Sequence, residues 1–145
     1  MSPDDTALDS EPKISLRQIS ASSEAKKGAW QIAWRVENLS QHSLRLDAAR
    51  FPHGQFKAGE QQFDSPLLLG DQEAAIFEST IKCEEPPGAI VENAFVIFTS
   101  VWKESRWRIF VRLRVTVDDK GQPNAVTELI TTQKIGFSWQ LRSDG

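Results

Sequence analysis

Apolar and polar residues alternate along most of this chain with a period of two, the spacing at which successive side chains of an extended strand point to opposite faces. Trp30, Ile32, Trp34 and Val36 are interleaved with Gln31, Arg35 and Glu37, which predicts a strand with one face in a core and the other in water. Asn38-Leu39-Ser40-Gln41-His42 reads as a turn, and Leu44 and Leu46 around Arg45 predict the returning strand of a hairpin. Ile14, Leu16 and Ile19 mark an earlier strand whose parity slips by one, which requires a bulge.

From Arg50 to Asp71 the pattern fragments, because Pro52, Gly54, Gly59, Pro66 and Gly70 interrupt it; loops with short edge strands are expected there. Phe77, Ile81 and Cys83 alternate with Glu78, Thr80 and Lys82 up to Pro86-Pro87-Gly88, where two prolines remove ladder donors.

The strongest pattern is a hairpin from Phe95 to Val117. With its tip at Glu104 and Ser105, Trp102 faces Trp107, Ser100 faces Ile109, Phe98 faces Val111 and Val96 faces Leu113 on a core face. The other face then pairs Val101 with Arg108, Thr99 with Phe110, Ile97 with Arg112 and Phe95 with Arg114. Asp118 to Pro123 has turn chemistry, and Val126 to Phe137 reads as the last strand.

Roughly seven to nine strands without helical crossovers predict an all-β, two-sheet antiparallel sandwich, with a small β-barrel as the alternative. A Trp-bearing strand near the start and a late hairpin resemble the immunoglobulin-like group at the level of the superfold. The chain has no Cys…Trp…Cys arrangement and, lacking Tyr, no tyrosine corner. Such a fold hosts many unrelated functions.

Composition narrows the picture further. A chain of 145 residues is long enough for one core, and 39% hydrophobic with 26% charged residues is ordinary for a folded domain. Met1 to Pro12, with Asp4, Asp5, Asp9 and Glu11, reads as a flexible acidic tail. Residues 13–138 read as one domain and 139–145 as a C-terminal tail. The tail has no basic start and apolar run of a secretory signal, and no apolar stretch is long enough for a spanning helix. With the single Cys83 unable to form an internal disulfide, a soluble protein of the cytoplasm is expected.

The chemistry-bearing motifs are few. No nucleophile elbow, phosphate loop, HExxH or CxxC occurs, so a non-enzymatic protein without a cofactor is expected. His42, His53 and one cysteine are too few for a structural zinc site, and Asp118-Asp119 too few for calcium. His53 lies between Phe51 and Phe56, whose rings pin a loop to the core more simply than they build a pocket. Cys83 reads as a small buried hydrophobe, and the Asn38-Leu39-Ser40 sequon carries no weight without an export signal. Of the five tryptophans, Trp30, Trp34, Trp102 and Trp107 fall on core faces, which leaves Trp139 as the one indole free to stack on a carbohydrate.

One candidate surface stands out. Arg106, Arg108, Arg112 and Arg114 lie on one side of a single strand with Phe110 among them, beside Phe95 and Ile97 of the neighbouring strand and reinforced by Lys103. Arginine and aromatic side chains are enriched at protein interfaces. The simpler reading is that the arginine stems cover an exposed sheet face and pair with cross-strand acids. The expected function is therefore an interaction module for a protein partner or a second copy, with carbohydrate or an anionic ligand as the alternative. A net charge of −3 and a pI near 5.4 argue against nucleic acid.

Overall fold

A computed structural model of the chain describes residues 10–136. Their regular structure is entirely antiparallel β: β1 (Ile14–Ser23), β2 (Ala29–Asn38), β3 (Leu44–His53), β4 (Phe56–Leu69), β5 (Ala74–Lys82), β6 (Ile90–Trp102), β7 (Ser105–Val117) and β8 (Pro123–Ile135). No helix among the described residues is long and apolar enough to cross a membrane.

All eight strands belong to one sheet in the order β1-β2-β5-β4-β3-β6-β7-β8. Its two edge strands meet, so the sheet is nearly closed into a barrel around a single core. The barrel alternative is therefore the one that fits; the described strands form one sheet, and a two-sheet immunoglobulin-like sandwich is not confirmed. The reason lies at two narrow places in the wall. β4 and β5 share one residue pair, Lys57 with Lys82, and that pair joins what would otherwise be a three-stranded and a five-stranded sheet.

Glutamine side chains bridge both places. Gln61 Nε2 donates to Glu78 O at 2.9 Å while its Oε1 accepts from Ser79 Oγ at 2.8 Å, across the β4/β5 gap. At the β1/β8 closure Gln18 Nε2 donates to Pro123 O at 3.0 Å and its Oε1 accepts from the Ala125 N–H at 2.8 Å. The Gln18 carboxamide thus takes the place of a peptide group in the ladder, whereas Gln61 joins a backbone carbonyl and a side-chain hydroxyl. Thr127 Oγ1 donating to Leu16 O, and Thr132 Oγ1 donating to Glu11 Oε1, continue the closure. Gln18→Ala is expected to cost about 1–2 kcal/mol, because it leaves a backbone donor and acceptor unsatisfied in a half-buried seam. Faster hydrogen exchange at the Ala125 amide would report it, and unchanged exchange would show that the seam closes without the glutamine.

The alternating patterns map onto this wall as expected for Trp34, Val36, Leu44, Leu46, Phe98, Val111 and Leu113, all buried. The parity slip in β1 is a bulge between Gln18 and Ser20, and it turns Ile19 outward, 45% exposed. Three expectations are corrected. The Arg50–Asp71 region holds the end of β3 and a long strand, β4, whose ladder with β3 jumps from Leu46↔Leu67 to Ala48↔Gln62. Pro66 sits inside that bulge, where no ladder donor is required.

The β6–β7 turn is Lys103-Glu104, both at positive φ (49° and 64°), which matches the twist of flanking strands in a two-residue hairpin. Its register is accordingly Ser100↔Trp107, Phe98↔Ile109 and Val96↔Val111. The offset from the expected register is two residues, so every side chain keeps its face. Third, Trp30 is only half-buried.

Candidate functional site

The β6–β7 ladder brings together six of the seven expected surface residues, and Arg114 lies on β7 opposite the β6 bulge. Val101 pairs with Arg106, Thr99 with Arg108, Ile97 with Phe110 and Phe95 with Arg112. On the far side of β7, Arg112 pairs with Leu129 and Arg114 with Val126 of β8. Phe95, Ile97 and Phe110 are half-buried, whereas Arg106, Arg108 and Arg114 are exposed. Leu129 and Val126 extend the apolar part of this outer face at 47% and 65% exposure.

The arginines are not equivalent. Arg112 Nε lies 3.7 Å from Glu128 Oε1 and Arg114 Nε 3.4 Å from Glu92 Oε1, so these two are neutralised by neighbours. The Arg112 contact is too long for a hydrogen bond, and its buried Nε has no hydrogen-bond partner among the described residues. Arg106 and Arg108 make no ion pair among the described residues. A shallow depression of about 90 Å³ beside Arg108 also holds Arg50, Ile97 and Glu60, but the Glu60 carboxylate is held by Gln62 Nε2 at 2.7 Å. The cross-strand pairing expected of an ordinary exposed sheet face therefore covers half of the row. Lys103 at the hairpin tip lies over its neighbour Trp102, 5.1 Å from the ring centroid.

Arg17 and Arg35, which sequence patterning did not single out, add to this face. They pair across β1 and β2, and line a groove of about 510 Å³ at the closure together with Glu37, Val126 and Thr127. Arg35 is paired with Glu37 at 3.0 Å. Only closure of the barrel puts Arg17 beside β8, so no local signal could have placed it there.

The other residues weighed in the sequence are placed as follows, where they are described. His53 Nδ1 accepts from the Gln55 N–H at 3.1 Å in the β3–β4 turn, and Phe51 and Phe56 pack on Trp34 in the core. His42 stands edge-on to Trp102. Among the described residues no group of three or more His, Cys, Asp or Glu could hold a metal ion. Asp118 Oδ1 accepts from the Gln122 and Lys120 N–H groups, and these bonds, that of Gln122 first, hold its carboxyl below the ordinary range. Cys83 is buried, and burial pushes its thiol up, away from a reactive thiolate. Asn38 is fully buried with its amide bonded to three carbonyl oxygens, which removes it as a glycan acceptor in the folded chain. Trp34, Trp102 and Trp107 are buried, and Trp139 lies outside the described residues.

Another concavity, of about 810 Å³, opens at the barrel end between the β1–β2, β5–β6 and β7–β8 connections. Trp30 lines it and donates from Nε1 to Cys83 O at 3.3 Å.

No family model and no curated protein matches this chain. Among solved structures it is similar to Northeast Structural Genomics Consortium target SoR45, at 10% identity and a TM-score of 0.31, over 88% of this chain and 87% of that one. A likeness of that degree carries no functional argument.

Proposed function

We propose that this protein is a non-enzymatic binding module that docks an acidic partner protein on the outer face of β6, β7 and β8. The observation that carries the reading is the state of Arg106 and Arg108: two exposed guanidinium groups without an ion pair among the described residues, beside half-buried Phe110 and Ile97. An apolar strip flanked by unneutralised arginines suits a partner with alternating carboxylate and apolar side chains. Arginine forks onto carboxylates in a fixed geometry, while its stem packs on neighbouring apolar surface. The acidic net charge of the whole chain does not prevent this, since charges beyond about 10 Å are largely screened at moderate salt.

The reading is tested by titrating an extended peptide of alternating Glu and Val into labelled protein and following amide resonances. The shifts should centre on Ile97, Arg108 and Phe110. Arg106→Glu with Arg108→Glu should weaken binding by at least about tenfold, and raising salt should weaken the wild type in the same direction. Shifts centred elsewhere, or an unchanged affinity in the double variant, would show that this face is ordinary sheet surface. Binding of heparin in preference to the peptide, lost in the same variant, would reassign the face to an anionic polysaccharide.

A further inference from the structure

We infer that the cleft at the barrel end is a second, separate ligand site, and that its ligand is a neutral ring carrying hydroxyl groups, of the saccharide class. Three observations lead there. The cleft's volume of about 810 Å³ falls within the range of small-molecule sites, and the mouth of a β-barrel is a common place for one.

Its walls are braced by backbone hydrogen bonds. Cys83 N–H donates to Gly28 O at 2.8 Å, tying the β5–β6 connection to the β1–β2 turn. On the opposite wall the Asp118 carboxylate organises the β7–β8 turn, and the Gly121 N–H returns to Asp118 O at 3.0 Å. Gly28, at φ +81°, lets the Glu84 side chain lie against the backbone, where a Cβ would stand 2.1 Å from Glu84 Cγ. A site held this way loses little conformational freedom on binding.

The second observation is Trp30. Its indole N–H donates to Cys83 O, which holds the ring in place, and Trp30 lines the cleft together with Pro86 and Pro87. A flat fixed indole presents a large, rigid, amphipathic surface to the C–H face of a sugar ring.

The third is charge. Lys27 and Lys120 line the cleft along with Glu84, Glu85 and Asp119, so donors and acceptors are plentiful while the summed charge is small. That balance disfavours a polyanion. A quaternary ammonium ligand is disfavoured too, because among the described residues Trp30 is the one aromatic residue lining the cleft, whereas such ligands are held in cages of several rings. A neutral polyhydroxylated ring needs one stacking face and a surround of mixed hydrogen-bonding groups, and this cleft supplies both.

The site shares no residue with the arginine face, so the two readings fail separately. The test follows the indole N–H resonances of the full chain during titration with cellohexaose, xylohexaose, mannohexaose and laminarihexaose, with heparin and tetramethylammonium as comparators. Trp30→Phe identifies the Trp30 resonance by its disappearance. At least one neutral oligosaccharide should move that resonance saturably. Trp30→Ala should weaken this binding by at least about tenfold, with part regained in Trp30→Phe. Asp119→Ala with Lys120→Ala, both on an exposed turn, should weaken it without disturbing the core, whereas Arg106→Glu with Arg108→Glu should leave it unchanged. The inference is overturned if no neutral oligosaccharide shifts Trp30 at millimolar concentration, if only a comparator does, or if a folded Trp30→Ala protein binds as well as the wild type.

Discussion

Asn38→Asp is expected to lower the stability of the folded chain by about 4 kcal/mol at neutral pH, read as a fall in the urea midpoint at constant slope. The wild-type amide donates from Nδ2 to His42 O at 2.9 Å, Leu69 O at 3.0 Å and Gly70 O at 3.1 Å. Its Oδ1 accepts from the Ser40 N–H at 3.0 Å and Ser40 Oγ at 2.7 Å. An aspartate can keep the two accepted bonds, but it brings a negative charge against three carbonyl oxygens in a fully buried position. The consequence reaches the candidate binding face, because Ser40 Oγ also accepts from Trp102 Nε1 at 3.0 Å. Trp102 is the last residue of β6 before the hairpin turn, so losing the network should loosen the tip of the hairpin that carries the arginines. Asn38→Ala, which removes the donors without adding charge, should cost less than Asn38→Asp. If both variants stayed within 1 kcal/mol of wild type, the buried network would not be what holds this end of the barrel.

Trp34→Ala should cost about 3–5 kcal/mol, the range for truncating a fully buried aromatic residue. Trp34 is 1% exposed, its ring centroid 5.7 Å from that of Phe51 and 6.3 Å from that of Phe56. It therefore joins β2 to the β3–β4 hairpin through the core, across the part of the wall where β4 and β5 share a single residue pair. Its indole N–H is buried with no hydrogen-bond partner among the described residues. That separates shape from polarity, because Trp34→Phe keeps an aromatic ring and removes an unsatisfied donor. Trp34→Phe should accordingly lose at least about 2 kcal/mol less than Trp34→Ala. Equal losses in urea denaturation would mean that the indole's full volume, and not merely an aromatic ring, is required there.

Local patterning located the candidate face because a hairpin is a local object. Phe95 to Val117 alternates strictly enough that a turn misplaced by one residue, and hence a register off by two, left every side chain on its expected face. The turn itself was harder to read, since Lys103 and Glu104 both take positive φ without glycine or asparagine to announce it. Which arginines are neutralised was not legible. Glu92 and Glu128 reach Arg114 and Arg112 through a bulge in β6 and another in the β7–β8 ladder, whose positions depend on pairing. Trp30 illustrates the same limit. Its parity puts it on the core side of β2, yet it lies near the strand's start, where the barrel end opens and burial is incomplete.

By itself the sequence determined the strand-rich class, the inward faces of β2, β6 and β7, the bulge at Ile19 and the shared outer face of Arg106, Arg108, Phe110 and Ile97, though not which of them lie opposite each other. All of these follow from a period of two and from contacts between neighbours in the chain. Only the tertiary structure decided that there is one nearly closed sheet, that β4 is a continuous strand, that Arg17 lies beside β8, and that Trp30 lines a cleft. The physical reason is that alternation says which face of a strand is buried but not which strand lies beside it. That choice was made by long-range contacts such as the Gln18 and Gln61 bridges, whose side chains look like ordinary surface glutamines until the strands they join are brought together.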